Sequence, residues 1–394
     1  MAFARGIHRM AWLLVAGGLV VGCQLFPPTP TPPPEPSTSE TPPCWYYQPV
    51  TAEYRGAYGI AGPPADGQRR SQIRTAKQRA YRALANYVGL ERAELDDSDE
   101  RITADTETVP LESQEVRFID AWWDRGRYHE DFYQYAVLDA PAGLRAGDLR
   151  RGCARTCQPK VCEPAWLCQA MGSEHAGFLG VSWEAMSRTD QQQAAIDNAI
   201  EQLQFLYGVR AQSDERYVSS STGLRLRIRS SRVDGRVGSG GEVPVLVTDA
   251  CEQSRRLFLR VVAYGDAIPP LELPAAAQVT PGQPPPWYRR FASSARGGLA
   301  SSTGHADGVS TGRLSDQLQL AVKRAMIGLA RIQGAKVRDE TVVVNSRGSG
   351  RFILQDTRVQ TDEIVSGRVA GIYIEPMETG DTLRAHVWVL EDSI

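Results

Sequence analysis

The sequence predicts an α+β fold of three tandem small domains, each one helix packed on an antiparallel sheet of three to four strands. Three observations carry that expectation. Trp45, Trp166 and Trp287 recur at equal steps of 121 residues. An alanine-rich helical pattern follows each tryptophan, and period-two apolar runs follow each helix. The chain has 394 residues, 42% of them hydrophobic and 23% charged, which excludes a wholly disordered or fibrous protein. That length calls for more than one core. A net charge of −2 offers no basic face for nucleic acid.

The N-terminus reads as an address. Arg5, His8 and Arg9 form a basic start, and Met10 to Val21 is almost wholly apolar. That run is too short to span a bilayer and suits a signal-peptide core. Val20-Val21-Gly22-Cys23 then looks like a bacterial lipobox. Residues 1–22 are expected to be removed, and Cys23 to be acylated (the palmitate-type modification), so that the chain is held to a lipid bilayer. Residues 23–43 form a proline-rich tether; its stretch 27–43 reaches roughly 50 Å as polyproline II. Gln24 is not the aspartate of inner-membrane retention, so the resemblance to lipoproteins implies the outer membrane, with the domains in the periplasm or at the cell surface.

Each domain is then justified in turn. Domain 1 (44–139) places Ala76, Ala80, Leu84 and Tyr87 before Gly89. Domain 2 (160–265) places Ala195, Ala199, Leu203 and Leu206 before Gly208. Domain 3 (287–394) places Ala321, Ala325, Leu329 and Ile332 before Gly334. The first four positions fall along one helix face, where small alanines permit close approach to a sheet. Ser71, Asp190 and Asp316 are expected N-caps, each followed by glutamine, and the glycines are expected C′ caps. Strands are expected at Val116 to Trp122 and Phe132 to Leu138, with a hairpin turn at Asp124-Arg125-Gly126. Others are expected at Leu224 to Ile228, Val243 to Val247, Leu257 to Val262, Val342 to Val344, Phe352 to Leu354, Val369 to Ile374 and His386 to Leu390. Residues 140–159 and 266–286 read as linkers, the first carrying cysteines and the second proline-rich.

Beyond Cys23, six cysteines remain: Cys44, Cys153, Cys157, Cys162, Cys168 and Cys251. An even number in an exported chain reads as up to three disulfides, with fifteen pairings open. Local bridges Cys162–Cys168 and Cys153–Cys157 are plausible among them. A zinc site from the 153–168 cluster is the rival, and its spacing lacks paired knuckles.

A resemblance can now be stated. Trp45-Tyr46, Ala80 to Leu90 and Tyr133 to Leu138, with Pro164-Ala165-Trp166 and Tyr207-Gly208-Val209, resemble the LPP-twenty family of bacterial lipoproteins. The resemblance implies a non-enzymatic envelope lipoprotein, and some members are similar to flagellar accessory proteins of the P and T types. Three tandem units and a cysteine cluster set this chain apart.

Candidate chemistry is sparse. His129, His175, His305 and His386 show no pairing at metal spacing, and His386 reads as a packed strand residue. Gly308-Val309-Ser310-Thr311-Gly312 has the nucleophile-elbow form without the strand before it or the helix directly after it. Glu94, Asp96, Asp97, Asp99 and Glu100 lack the glycine of a calcium loop. Trp122 and Trp123, near Tyr128, form the candidate binding surface, because neighbours on a strand face opposite ways and one should point outward. The expected function is a non-catalytic anchored scaffold with envelope proteins as partners, without metal or cofactor. A peptidoglycan- or glycan-binding protein is the runner-up, and a hydrolase through Ser310 the third.

Overall fold

The computed structural model describes residues 41–88, 100–125, 130–170, 176–203, 209–220, 225–235, 245–263, 278–289, 301–306, 313–334, 336–346, 350–376 and 383–391. For 209–220, 225–235, 331, 333–334, 336–346 and 350–364 it describes the backbone alone. The fold is mixed α+β, built on small antiparallel sheets with few helices.

A short helix α1 (Cys44–Tyr47) leads into strand β1 (Arg55–Ala61) and then helix α2 (Arg69–Val88). Strands β2 (Thr108–Leu111), β3 (Gln114–Arg125) and β4 (Glu130–Leu138) complete a sheet of order β1-β4-β3-β2. The second layer runs through a 3-10 turn at Ala165–Leu167, β5 (Ala176–Ser182) and α3 (Arg188–Leu203). After the hairpin β6 (Val209–Ser220) and β7 (Arg225–Gly235) come β8 (Val245–Gln253) and β9 (Arg256–Ala263), in the order β5-β9-β8. The third layer begins with α4 (Pro286–Arg289), β10 (Ser301–Ala306) and α5 (Leu314–Gly334). It continues through the hairpin β11 (Lys336–Ser346) and β12 (Gly350–Val365) to β13 (Gly367–Pro376) and β14 (Leu383–Glu391), in the order β10-β14-β13.

Each long helix lies on its sheet at one fixed point. A Cβ built on Gly59, Gly180 or Gly304 would stand 2.0, 2.0 or 2.1 Å from the carbonyl oxygen of Ala76, Ala195 or Ala321. No side chain fits between helix and strand there, so glycine opposite alanine sets the approach. The buried row holds for three positions in every helix: Ala76, Ala80 and Leu84; Ala195, Ala199 and Leu203; Ala321, Ala325 and Leu329. It fails at the fourth. Ile332 is 53% exposed and Tyr87 half-buried, because the helices outrun the sheets they cover. Leu206 lies outside the described residues.

The helix ends also differ from expectation. Ser71, Asp190 and Asp316 are each the third residue of their helix, not the cap before it. An extra half-turn forms ahead of them; before α3, Ser187 Oγ accepts from the Asp190 backbone N–H at 3.0 Å. Gly334 is the last helical residue of α5 rather than a residue beyond it. Gly89 and Gly208 lie outside the described residues, as does Gly126 of the expected hairpin turn.

The strand next to each terminal strand carries a bulge, between Phe118 and Asp120, Val247 and Asp249, and Val369 and Gly371. A bulge reverses which face the following residue takes. It turns Asp120 onto the leading tryptophan of its layer, whose Trp45 Nε1 donates to Asp120 Oδ2 at 2.9 Å. The corresponding Gly371 lies under Trp287, and Trp287 Nε1 has no acceptor among the described residues. The expected strands are present over their described residues (Leu224, Val243 and Pro244 lie outside them), and β6, β7, β11 and β12 join in one further sheet of order β11-β12-β6-β7.

The layers share their cores. Trp45, Tyr46, Trp122 and Tyr133 from the first cluster with Phe178, Ala195, Ala199 and Leu259 from the second. Leu179, Val181 and Phe258 on the opposite face of the second sheet cluster with Leu318, Ala325 and Leu329 of α5 and Val387 of β14. Residues Pro36–Ile394 accordingly form one compact unit.

Candidate functional site

Among the described residues, those nominated from sequence do not converge on a reaction centre. Cys23 and Tyr128 lie outside the described residues, as do Ser310, His129, His175 and all of the acidic run except Glu100. Among the described residues, no three His, Cys, Asp or Glu side chains are grouped to hold a metal. No helix among them is long and apolar enough to cross a membrane.

Trp122 and Trp123 correct the expected binding surface. They do point to opposite faces, yet both are buried, at 0% and 6% exposure. Trp123 packs with Phe132, Ala61 and Ala76 under α2, and the Arg69 guanidinium sits 5.0 Å over its ring. Trp122 packs on Tyr133 and Tyr46, and α3 of the second layer brings Arg188 to 6.0 Å from it. The sheet is covered on both faces, so neither tryptophan is free to stack on a sugar.

What the structure places there instead is a charged seam between layers. Arg188 Nε lies 3.1 Å from Asp124 Oδ2 and Nη1 lies 2.7 Å from Glu252 Oε1, so α3 is tied to β3 and β8 together. Thr189 Oγ1 donates to Asp131 at 2.8 Å, and Gln192 Nε2 donates to the Tyr58 hydroxyl at 2.5 Å. Burial holds the Asp124 carboxyl above its ordinary range despite Arg188.

A second tie fixes the 140–159 segment, which is far from a free linker. Buried Asp120 accepts from Arg150 Nε at 2.9 Å and from Arg150 Nη2 at 2.5 Å, as well as from Trp45. Removing the carboxylate strands a buried indole N–H and an arginine. Asp120→Ala is therefore expected to cost about 3 kcal/mol, read as a lowered midpoint in urea unfolding. A loss under ~0.5 kcal/mol would show that the tie is solvated.

The six cysteines are all consumed in disulfides: Cys44–Cys153, Cys157–Cys251 and Cys162–Cys168. The local Cys162–Cys168 bridge matches one of the plausible pairings. Cys153–Cys157 does not form, because each partner reaches instead to a separate layer, Cys44 at the start of α1 and Cys251 on β8. A zinc site from this cluster is excluded by the same bonds.

Sequence reading kept His305 and His386 apart, and β10 and β14 pair them directly with ring centroids 5.9 Å apart. His386 Nε2 lies 2.9 Å from Glu375 Oε2, and the Tyr288 hydroxyl donates to Glu375 Oε1 at 2.5 Å. Arg384 lies 3.8 Å from the same carboxylate, and Tyr373 packs on Tyr288. Burial holds the His386 imidazole below its usual range. Burial also opposes ionisation of Glu375, but the bonds from Tyr288 and His386 outweigh it and hold the carboxyl low. Burial and the bond to Glu375 push Tyr288 up to about 12. A depressed imidazole gives stability above about pH 6.5 that is lost as pH falls through its folded value. The lowered Glu375 adds loss in the same direction at more acid pH. The melting temperature is expected to fall between pH 7 and pH 5, and His386→Leu to flatten that slope; an unchanged slope would exclude His386 as its source.

The chain also exposes Trp183 (44%) and Met186 (71%) on the turn before α3, where Arg256 sits 4.6 Å over the Trp183 ring. Sequence reading passed over both. A cleft of about 130 Å³ lined by Tyr58, Gln192, Ile196 and Val261 opens at the seam. Ligand pockets run to about 300–1,000 Å³, so it is too small for a drug-sized ligand. Comparison with protein-family models, curated proteins and solved structures returns no match.

Proposed function

We propose that the chain is a non-catalytic, membrane-anchored envelope lipoprotein built from three copies of one module. In this reading residues 1–22 are the signal peptide and Cys23 carries the lipid. Residues 23–43 hold the modules off the outer membrane as a structural scaffold for envelope proteins. The observation that carries the reading is the recurrence of one packing scheme in a stapled stack. A leading tryptophan, a strand glycine under a helix alanine and a bulged penultimate strand come back in each layer, and Cys44–Cys153 and Cys157–Cys251 clamp the segment between the first two. Such a body keeps its attachment points at fixed separations, which serves an anchored spacer. The resemblance to the LPP-twenty family and a flagellar accessory role belong to the same proposal. Burial of Trp122 and Trp123 takes away two of the three residues on which a glycan-binding reading rests, and Tyr128 lies outside the described residues.

Crosslinking in whole cells, followed by mass spectrometry of what co-purifies, tests the scaffold. Envelope proteins are expected in the crosslinked fraction, and Cys23→Ser is expected to move the protein from membranes to the soluble fraction. Muropeptides recovered alone would overturn the scaffold reading, and an unmoved Cys23→Ser protein would overturn the anchor.

A further inference from the structure

The sheet β11-β12-β6-β7 is a joint between two copies of one hairpin. Its halves are related by a shift of 126 residues: the pair Arg210↔Asp234 in β6–β7 becomes Lys336↔Gln360 in β11–β12. The same shift carries Ala195 of α3 to Ala321 of α5. The hairpins meet by one rule, the second strand of one (β12) pairing antiparallel with the first strand of the other (β6), from Leu354↔Ser220 to Val365↔Val209.

That rule leaves two complementary ends. At one edge stands β7, a second strand, and at the other stands β11, a first strand. Each is 11 residues long, neither contains proline, and among the described residues each has a strand on one side only. Unpaired N–H and C=O rows of that length are templates for another strand. The sheet packs on the rest of the chain chiefly through α5, at β12 and β6. Repeating the rule with a second chain keeps every neighbour antiparallel.

We infer that β7 of one copy pairs with β11 of a second copy of this chain, head to tail, extending the sheet from molecule to molecule. The register follows from the shift. Thr357↔Tyr217 of the internal joint maps onto Ser231 opposite Val343, and Val359↔Glu215 maps onto Val233 opposite Thr341. Val342 comes opposite Arg232. Asp234 comes opposite Glu340, and the joint already inside the chain tolerates Arg358 opposite Arg216. Because the two edges differ, the contact is heterologous and builds a ring or an open filament rather than a closed dimer. Charged residues stand in both alternating sets of β6 (Asp214 and Arg216 in one, Glu215 in the other). A lipid-facing barrel wall needs one set apolar, so this is a ladder in water.

The inference deepens the scaffold reading by naming the chain itself as a partner, and it rests on that reading for its register. Ser231→Cys and Val343→Cys are made in separate mature chains, each purified in detergent, then mixed under mild oxidation. Opposed strand positions lie about 4.5–5.5 Å apart at Cβ, so the mixture is expected to give a disulfide-linked pair that neither variant gives alone. Native mass spectrometry of the unmodified chain is expected to show species above the dimer. Near-UV circular dichroism matching the unmodified chain establishes that each variant is folded. Self-crosslinking of Ser231→Cys would replace this contact with a symmetric one. Equal crosslinking to Val337→Cys would overturn the register. A chain that stays monomeric at all concentrations, yet still captures envelope proteins in cells, would overturn the ladder and leave the scaffold standing.

Discussion

Reducing the oxidised protein is expected to unfold it at ambient temperature. Cys44–Cys153 closes a separation of 109 residues and Cys157–Cys251 one of 94. The two spans lie side by side in sequence, so each constrains a different part of the unfolded chain. In the chain-entropy limit each loop of that size is worth about 4.7 kcal/mol. Together they match the whole stability of an ordinary domain, about 5–15 kcal/mol. Cys162–Cys168 spans 6 residues and contributes far less on the same logarithmic scale. The order of effects is the test. Cys157→Ser with Cys251→Ser should lower the thermal midpoint much more than Cys162→Ser with Cys168→Ser, and dithiothreitol should exceed both. A midpoint insensitive to reductant would mean that the apolar contacts across the layers alone hold the stack.

Those bridges show where sequence reading succeeds and where it stops. That six cysteines would pair follows from their even number and an export signal, both local features. Which cysteine meets which depends on how layers stack, and stacking leaves no periodic trace along a chain. Cys153 and Cys157 sit four residues apart and still bond in different directions, because the segment between them passes from one layer to the next. The same limit explains Trp122 and Trp123. Alternation correctly sends them to opposite faces, but the outer one is covered by Tyr46 of α1 and Arg188 of α3, which arrive from elsewhere in the chain.

Helix and strand identity were legible because Ala76, Ala80 and Leu84 and their counterparts repeat at helical spacing against period-two runs. Helix starts were missed by a half-turn, since Ser71, Asp190 and Asp316 are as acceptable inside a first turn as before it. The shared sheet was illegible for a different reason. β6, β7, β11 and β12 each read as ordinary strands, and nothing in their composition says that hairpins from separate layers will be neighbours. The His305–His386 pairing was hidden likewise, since 81 positions in sequence separate residues that the β10–β14 register sets side by side.

Replacing Gly59, Gly180 or Gly304 by alanine is expected to be strongly destabilising. One methyl group would have to occupy space about 2 Å from a helix carbonyl oxygen, and the obstacle is backbone, which cannot swing aside as a side chain can. The helix must lift, losing contact along the whole alanine row. Overpacking of a rigid core costs about 3 kcal/mol at the upper end of its usual range, measurable as a drop in the urea midpoint. Gly147→Ala is the control: nothing lies within 4 Å of its Cβ position, so it should change stability by under ~1 kcal/mol. Gly180→Ala should cost more than Gly59→Ala. Its helix α3 contributes Ala195, Ala199 and Leu203 to the core that also buries Tyr46 and Trp122, so lifting it opens two layers at once. Gly59→Ala lifts α2, whose buried row faces only its own sheet and the Leu246–Val262 edge of the second. A reversed order would mean that the first layer, not the middle one, holds the stack together.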